Sequence, residues 1–299
     1  MSSITLITGA TSGIGQLVVE RLGRDQRRTD LVISGPCSTS TDALAQKVGA
    51  HAFSADLASL AEVRRLVERI VELGQQIDLL ILVAGRQALD DKERSPDDIE
   101  CSFAVNAVSN VALIDGLIAA GRIPRRVILF SSATHDPTKK AGLPTPRHSN
   151  VALLAHPEND TAAQGDKPSV RGNRAYSSSK LAVAMLAAAY ARAYPDMRID
   201  AIDPQLTPGT GLARRQSAAV RFLWHNLLPL FVPLLPFMNR PTAVADATIA
   251  LANDDGVPVG SGRYVEVRRG RPIIGRASEL ARDEAAQDRL LADIRALAA

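Results

Sequence analysis

Ser3-Ile4-Thr5-Leu6-Ile7-Thr8 runs directly into Gly9-Ala10-Thr11-Ser12-Gly13-Ile14-Gly15, and this junction decides the fold. The first six residues are apolar or β-branched and have the length of a strand. From Gln16 to Leu22 the apolar positions take helical spacing. Strand, glycine-rich turn and helix together are the context in which a glycine pattern becomes a phosphate site. Glycines let the main chain approach a pyrophosphate. The free N–H groups and dipole of the helix that follows attract the anion. A tight turn with no ligand would use the same glycines, but the flanking strand and helix favour a dinucleotide.

Outward from this unit, strands and helices alternate. Further strands are expected at Asp30 to Gly35, His51 to Ser54, Asp78 to Val83, Arg125 to Ser131, Ile199 to Ile202 and Arg263 to Val267. The nearly all-apolar run at 78–83 is the mark of a parallel strand buried on both faces. Helices are expected from the Ser59/Glu62 capping box to about Leu73, and from Ser95-Pro96-Asp97-Asp98 to about Ala120. Others run from Arg174 to Tyr194 and from Asn239-Arg240-Pro241 to Ala252. A C-terminal helix is capped by Ser278 and sets Leu290, Leu291, Ile294 and Leu297 on one side. The alternation predicts an α/β fold: one doubly wound parallel sheet of about seven strands, helices on both faces. There are no internal repeats and no dividing linker, so 1–299 reads as one domain.

Composition excludes several function classes. Of 299 residues, 46% are apolar and 22% charged, with net charge +3, an ordinary globular balance. The basic clusters, Arg24 to Arg28 and Arg268 to Arg271, are short and read as solvated surface. A nucleic-acid footprint needs a basic stripe with stacking aromatics, and aromatics are only 4%. Two cysteines, Cys37 and Cys101, are too few for a disulfide framework or a structural zinc site. His135, His148 and His156 lie 13 and 8 residues apart, which does not fit one helix face. They read as surface histidines, and no metal is expected. The N-terminus enters a strand at once, without a basic n-region, so the expected setting is cytoplasmic.

The chemistry centres on Tyr176-Ser177-Ser178-Ser179-Lys180. On a helix Tyr176 and Lys180 are i and i+4 on one face. A phenol normally holds its proton to pH ~10, and an adjacent ammonium lowers that value. A phenol so tuned can give or take a proton near neutrality. Other candidates fall at strand ends, where ligands bind in open α/β sheets. Ser132 follows the strand at 125–131. Ala84-Gly85, a small pair, leaves room for a ligand above the strand at 78–83. Asn106 sits mid-helix, either with a buried polar task or on the solvent face. After the second strand come Gly35-Pro36-Cys37-Ser38, without the acid that binds the ribose 2′-hydroxyl of NAD. That leans toward NADP, with Ser38, Ser12 or the Arg24 to Arg28 cluster meeting its 2′-phosphate.

Two segments stand outside this scheme. From Ala133 to Asn173 helix and strand signals vanish, in a stretch rich in Pro, Gly, His and charge. A loop this long is functional or mobile. Phe222 to Met238 is the most apolar stretch, 17 residues broken by Pro229, Pro233 and Pro236. It is a poor transmembrane span. A buried lid over an apolar substrate, within 205–240, is the first reading. Membrane-surface contact through 222–238 or a homo-oligomer seam is the second.

Together these pieces resemble the short-chain dehydrogenase/reductase family from Ile4 to Val267. Thr8-Gly9-Ala10-Thr11-Ser12-Gly13-Ile14-Gly15 resembles its cofactor motif, Asp56-Leu57 its adenine-side aspartate, and Ala84-Gly85 the end of its N-N-A-G motif. Asn106, Ser132, Tyr176 and Lys180 match its catalytic four in order. Two departures are Leu82-Val83 for the N-N pair and Pro204-Gln205 for the P-G after the sixth strand. The 44-residue gap between Ser132 and Tyr176 is similar to that of retinol-dehydrogenase-like and protochlorophyllide-reductase-like members.

The resemblance implies a Rossmann fold. It implies cofactor contacts at Gly9, Thr11, Ser12, Gly13, Ile14, Gly15, Ser38, Asp56, Leu57, Ala84, Gly85, Tyr176, Lys180, Pro204 and Thr207. It also implies hydride transfer between NADP(H) and a carbonyl or alcohol on an apolar substrate. In that scheme Tyr176 is the acid/base and Lys180 holds the nicotinamide ribose. Asn106 anchors a water that relays protons to Lys180. Two other readings stay open: reduction of an activated or tetrapyrrole-like C=C bond, and a catalytically silent NADP-binding sensor or assembly protein.

Overall fold

A computed structural model describes residues 3–24, 30–210 and 218–299. Arg27 and Arg28, and residues 211–217 of the expected lid, lie outside the described residues. The sheet has eight strands: β1 (Ser3–Thr8), β2 (Asp30–Gly35), β3 (His51–Ser54), β4 (Gln76–Leu82), β5 (Arg126–Phe130), β6 (Arg198–Asp203), β7 (Arg263–Arg268) and β8 (Arg271–Ile274). Their order is β3-β2-β1-β4-β5-β6-β7-β8. All neighbours are parallel except β7 and β8. The eighth strand was not expected from sequence. A two-residue turn, Arg269 (φ 49°) and Gly270 (φ 74°), folds it back on β7. Both positive φ values suit a tight hairpin, but Arg-Gly is a weaker signal than Asn-Gly. Pro272 is tolerated because the strand is at the edge.

Alternation along the strands builds two cores. Ile4 and Leu6 join the core under the helices Leu60–Glu72, Pro168–Ala193 and Glu284–Ala298. Ile7 joins the opposite core, under Gly13–Leu22, Ser38–Val48 and Pro241–Ala252. The strand order reverses between β1 and β4, opening a crevice at their carboxyl ends.

Several boundaries differ from the sequence reading. Ser95-Pro96-Asp97-Asp98 forms a turn, not a helix start. Ser95 Oγ accepts from Asp97 N (3.2 Å) and Ile99 N (3.1 Å), and Asp98 takes φ 58°. Asp97 instead caps the neighbouring helix, accepting from Leu60 N at 2.8 Å. The expected helix begins at Cys101, where buried Glu100 accepts from Ser102 N (2.9 Å) and Phe103 N (2.7 Å). The run Cys101–Ala119 is long and apolar enough to cross a membrane, but 78% of it is buried within the fold. The Ser59 box is half made: Ser59 Oγ accepts from Glu62 N, whereas Glu62 reaches Asp56 N (2.7 Å). Asp283, not Ser278, caps the C-terminal helix through Ala286 N. Ser278 serves the short turn before it, accepting from Ala281 N.

The 133–173 insertion is more ordered than its composition implied. It carries the helix Val151–Ala155 and four 3₁₀ turns, and its last six residues belong to the Tyr176 helix, which starts at Pro168 rather than Arg174. Proline at the first helical turn explains the start. The apolar stretch after β6 is not buried. Phe222, Leu230 and Leu234 are 59%, 69% and 74% exposed. Its ends are pinned together, with Leu206 N bonded to Phe237 O and Asn239 N to Leu206 O.

Candidate functional site

The turn after β1 is shaped by contact as much as by conformation. Gly9 has φ 65°, and a Cβ there would lie 2.6 Å from Ala84 Cα. A Cβ on Gly15 would lie 2.2 Å from Gly9 O. These glycines let β1, the turn and the end of β4 close on one another. Ser12 stands in extended conformation before the helix Gly13–Leu22 and makes no side-chain cap, and the first turn holds no acid. The first N–H groups of that helix therefore stay available to an anion. The cradle and the uncapped N-terminus fit a dinucleotide pyrophosphate at Gly9, Thr11, Ser12, Gly13, Ile14 and Gly15. Ser38 is the exposed first residue of the helix after β2. Asp56 Oδ1 accepts from Ala58 N (3.0 Å) beside buried Leu57.

Across the crevice, four expected residues come together. Asn106 is buried in a π-helical turn, Ala104–Val108, of the kind often found at functional sites. Its Oδ1 accepts from Arg86 N (2.7 Å), and its Nδ2 donates to Arg86 O (2.9 Å) and Ser179 Oγ (2.8 Å). Asn106 thus ties the loop after β4 to the Tyr176 helix. Gly85 lies between it and Lys180: a Cβ there would be 3.5 Å from Lys180 Nζ and 3.6 Å from Asn106 Oδ1. Lys180 donates from Nζ to Phe130 O at 2.8 Å, and Ser131 Oγ donates to Lys180 O, so the end of β5 fixes the lysine. Lys180 Nζ sits 5.7 Å from the Tyr176 ring centre. The Ser132 hydroxyl lies beside the Tyr176 phenol, close enough to lower its proton affinity.

The electrostatics correct the sequence reading. Burial pushes the Tyr176 phenol well above its ordinary range; the neighbouring Ser132 hydroxyl opposes this and the Asp203 charge adds to it. Lys180 does not reverse the effect, because burial also weakens the ammonium, lowering it to about 8. Desolvation outweighs the pair's attraction.

Asp203, the last residue of β6, is the group sequence reasoning missed. Its carboxylate accepts from Gln205 N (2.8 Å), Gln205 Nε2 (2.7 Å) and the Tyr264 hydroxyl (2.8 Å). Burial raises it to about 6. Gln205 has φ 58°, the left-handed region that favours glycine, and both bonds to Asp203 hold it there. Pro204 O accepts from Thr207 Oγ1 (3.0 Å) and Asn239 Nδ2 (3.1 Å), which fixes the loop behind.

His135 is buried, against the expectation of a surface side chain. Its Nε2 accepts from Ser278 N (3.2 Å), so Nδ1 carries the proton and donates to Ser132 O at 2.6 Å. The ring also packs edge-on against Tyr264. Its neighbours in sequence gave no hint of burial. Among the described residues no cluster suited to a metal occurs, and both cysteines are free.

A cavity of about 600 Å³ opens beside the turn, lined by Gly13, Leu17, Pro208, Pro229 and Arg240 among others. Arg240, unremarked in sequence except as part of a helix start, brings a guanidinium to the wall that also holds Gly13. Ser132 and Tyr176 do not line this cavity.

Comparison with known proteins agrees with this arrangement. The short chain dehydrogenase family model matches residues 3–136. A candidate daunorubicin C-13 ketoreductase, DnrU, of Streptomyces sp. (strain C5) is 28% identical over 90% of this chain and 85% of its own length. The polyprenol dehydrogenase of Mus musculus is 32% identical over 44% of this chain and 42% of its own. Among solved structures, a blue fluorescent protein from a metagenomic library, in complex with NADPH, superposes with TM-score 0.62. It is 23% identical and covers 90% of this chain and 97% of its own. Glycine turn, strand order and these relatives lead to one conclusion: residues 3–136 match the short-chain dehydrogenase family, and the chain as a whole is similar to oxidoreductases acting on carbonyl and alcohol groups.

Proposed function

We propose that this chain is an NADP(H)-dependent reductase of a carbonyl on an apolar substrate, with Tyr176 as the general acid. The observation that carries the reading is the meeting of the Ser132 and Tyr176 hydroxyls beside Lys180, at the strand ends next to an uncapped helix N-terminus. When bound, the nicotinamide supplies the hydride. The Ser132 hydroxyl donates to the substrate oxygen and stabilises the charge that develops there. Tyr176 gives that oxygen its proton. Its raised proton affinity keeps the phenol protonated at rest, the state reduction requires. Lys180 holds the nicotinamide ribose. Asn106 keeps Gly85 and the Tyr176 helix in register, leaving Gly85 open between the amide and the lysine.

NADP rather than NAD is favoured by the absence of an acid in Gly35-Pro36-Cys37-Ser38. The NADPH complex of the metagenomic structure supports the same preference. An apolar substrate is suggested by the apolar segment after β6, and by the activities named for the ketoreductase and polyprenol dehydrogenase relatives. The test is Tyr176→Phe, assayed with NADPH and a panel of apolar ketones. Cofactor affinity by calorimetry should hold within about twofold, while turnover falls at least ~100-fold, the scale of general acid catalysis. Near-normal turnover would remove Tyr176 from the chemistry.

A further inference from the structure

The segment after β6 is left exposed by the fold and is uniform in character. Phe222, Leu223, Leu230, Phe231, Leu234 and Phe237 are all more than 40% exposed. They crowd into a helical hump at 218–231 and the turn after it, whose two ends meet at the Leu206–Met238 bridge. Contiguous apolar surface of this kind marks an interaction site. The charge pattern identifies the partner. From 204 to 245 the chain carries four arginines and no Asp or Glu. A second copy docking by the same segment would bring one net positive stretch against another. An anionic lipid surface satisfies both properties at once, taking the apolar side chains at the acyl boundary and balancing the segment's net positive charge at the headgroups. Trp224 lies within the same hump and spends its N–H on Thr210 O (3.1 Å), which suits an aromatic ring at a membrane interface.

We propose that this hump is a membrane-surface anchor for anionic lipid. Pro229 and Val232 of the same segment wall the cavity that reaches Gly13. The anchor itself does not depend on the reaction assigned to Tyr176, and its test reads binding rather than turnover.

The full-length protein is sedimented with vesicles of phosphatidylcholine alone, or of phosphatidylcholine and phosphatidylglycerol in equal parts. The wild type should pellet with the anionic vesicles, less at high salt, and poorly with the neutral ones. Trp224 is the only tryptophan in the chain. Its fluorescence should shift to the blue on adding anionic vesicles, a readout that needs no variant. The Phe222→Glu/Leu234→Glu variant should lower the partition coefficient about tenfold or more, since two exposed apolar side chains no longer enter the lipid. Tyr176→Phe should pellet as the wild type does, whether or not the catalytic assignment survives. Three outcomes overturn the proposal: no wild-type binding to either vesicle, unchanged Trp224 emission on adding anionic vesicles, or equal binding by the double variant. A wild-type dimer that the double variant breaks, with no vesicle binding by either, would assign the face to a second copy instead.

Discussion

Asp203→Asn separates the two things burial does to this carboxylate. In the wild-type protein the Gln205 main-chain N–H, the Gln205 side-chain amide and the Tyr264 hydroxyl converge on it. Burial still wins, and the carboxyl titrates at about 6 rather than the usual 3.8. At about 1.4 kcal/mol for each tenfold change in proton affinity, the rise is worth about 3 kcal/mol. The folded state holds this proton more tightly than the unfolded one. Its contribution to stability is therefore fully present below pH 3.8 and is lost as the pH climbs to about 6. Asparagine is neutral throughout and carries no such slope. Its amide keeps one acceptor but turns an NH₂ group toward donors that met Oδ2, which costs about 1–3 kcal/mol. The variant should thus be clearly less stable than wild type at pH ~4 and nearly level with it by pH ~7, the gap closing by about 2.5 kcal/mol. Urea melts at the two pH values measure this directly. A gap that stays constant within about 0.5 kcal/mol would refute a buried, hydrogen-bonded Asp203 carboxylate.

Three further outcomes follow from the same geometry. In the pH–rate profile, Asp203→Asn should move the basic limb to lower pH, because the Asp203 charge raises the proton affinity of both Tyr176 and Lys180; an unmoved limb would uncouple Asp203 from the site. Gly9→Ala should cost about 2–5 kcal/mol in a urea melt. It forces a side chain into a left-handed position and within 2.6 Å of Ala84 Cα. Asn106→Ala should cost about 2–4 kcal/mol, since it strands the Arg86 N–H and C=O in the loop after β4; a fully stable variant would mean the tie is not used.

The parts of the site carried by local pattern were legible in the sequence. The glycines after β1 could be read because strand and helix flank them within a few residues. Tyr176 and Lys180 could be read because a helix puts i and i+4 on one face. Asp203 could not be read, since its meaning depends on Tyr264, 61 residues on. His135 suffered the same way: its partner Ser278 lies 143 residues away, and its neighbours in sequence have the composition of an exposed loop. The helix start at Ser95 failed for a different reason. Its Ser, Pro and Asp also make a turn, and Asp97 was free to cap the helix Leu60–Glu72, which sequence proximity does not reveal. Of the two readings of the apolar run at 222–238, the buried one missed because hydrophobic sequence reports the wish to leave water, not what covers it. The fold leaves that run at the surface.

Gln205 shows how the two departures from the family pattern should be weighed. A glycine lost after β6 would ordinarily argue that the turn beside the nicotinamide site has moved. Here the turn keeps its left-handed residue, at φ 58°, and the carboxylate of Asp203 supplies what glycine's freedom would have supplied. Holding a non-glycine residue in that conformation costs about 1–2 kcal/mol. Two hydrogen bonds to an ionised acceptor offset it, at about 1.5–3 kcal/mol each before the carboxylate's own desolvation is counted. Protonating Asp203 weakens those bonds, so the turn becomes tied to the ionisation of a group that titrates at about 6. The substitution therefore exchanges a conformationally free turn for a charge-dependent one and leaves the backbone path intact. By that reasoning Gln205→Gly should keep the turn in place while removing the sensitivity of cofactor affinity to pH between about 5 and 7. A loss of cofactor affinity at every pH would mean that the glutamine side chain itself, rather than the turn it holds, meets the ligand.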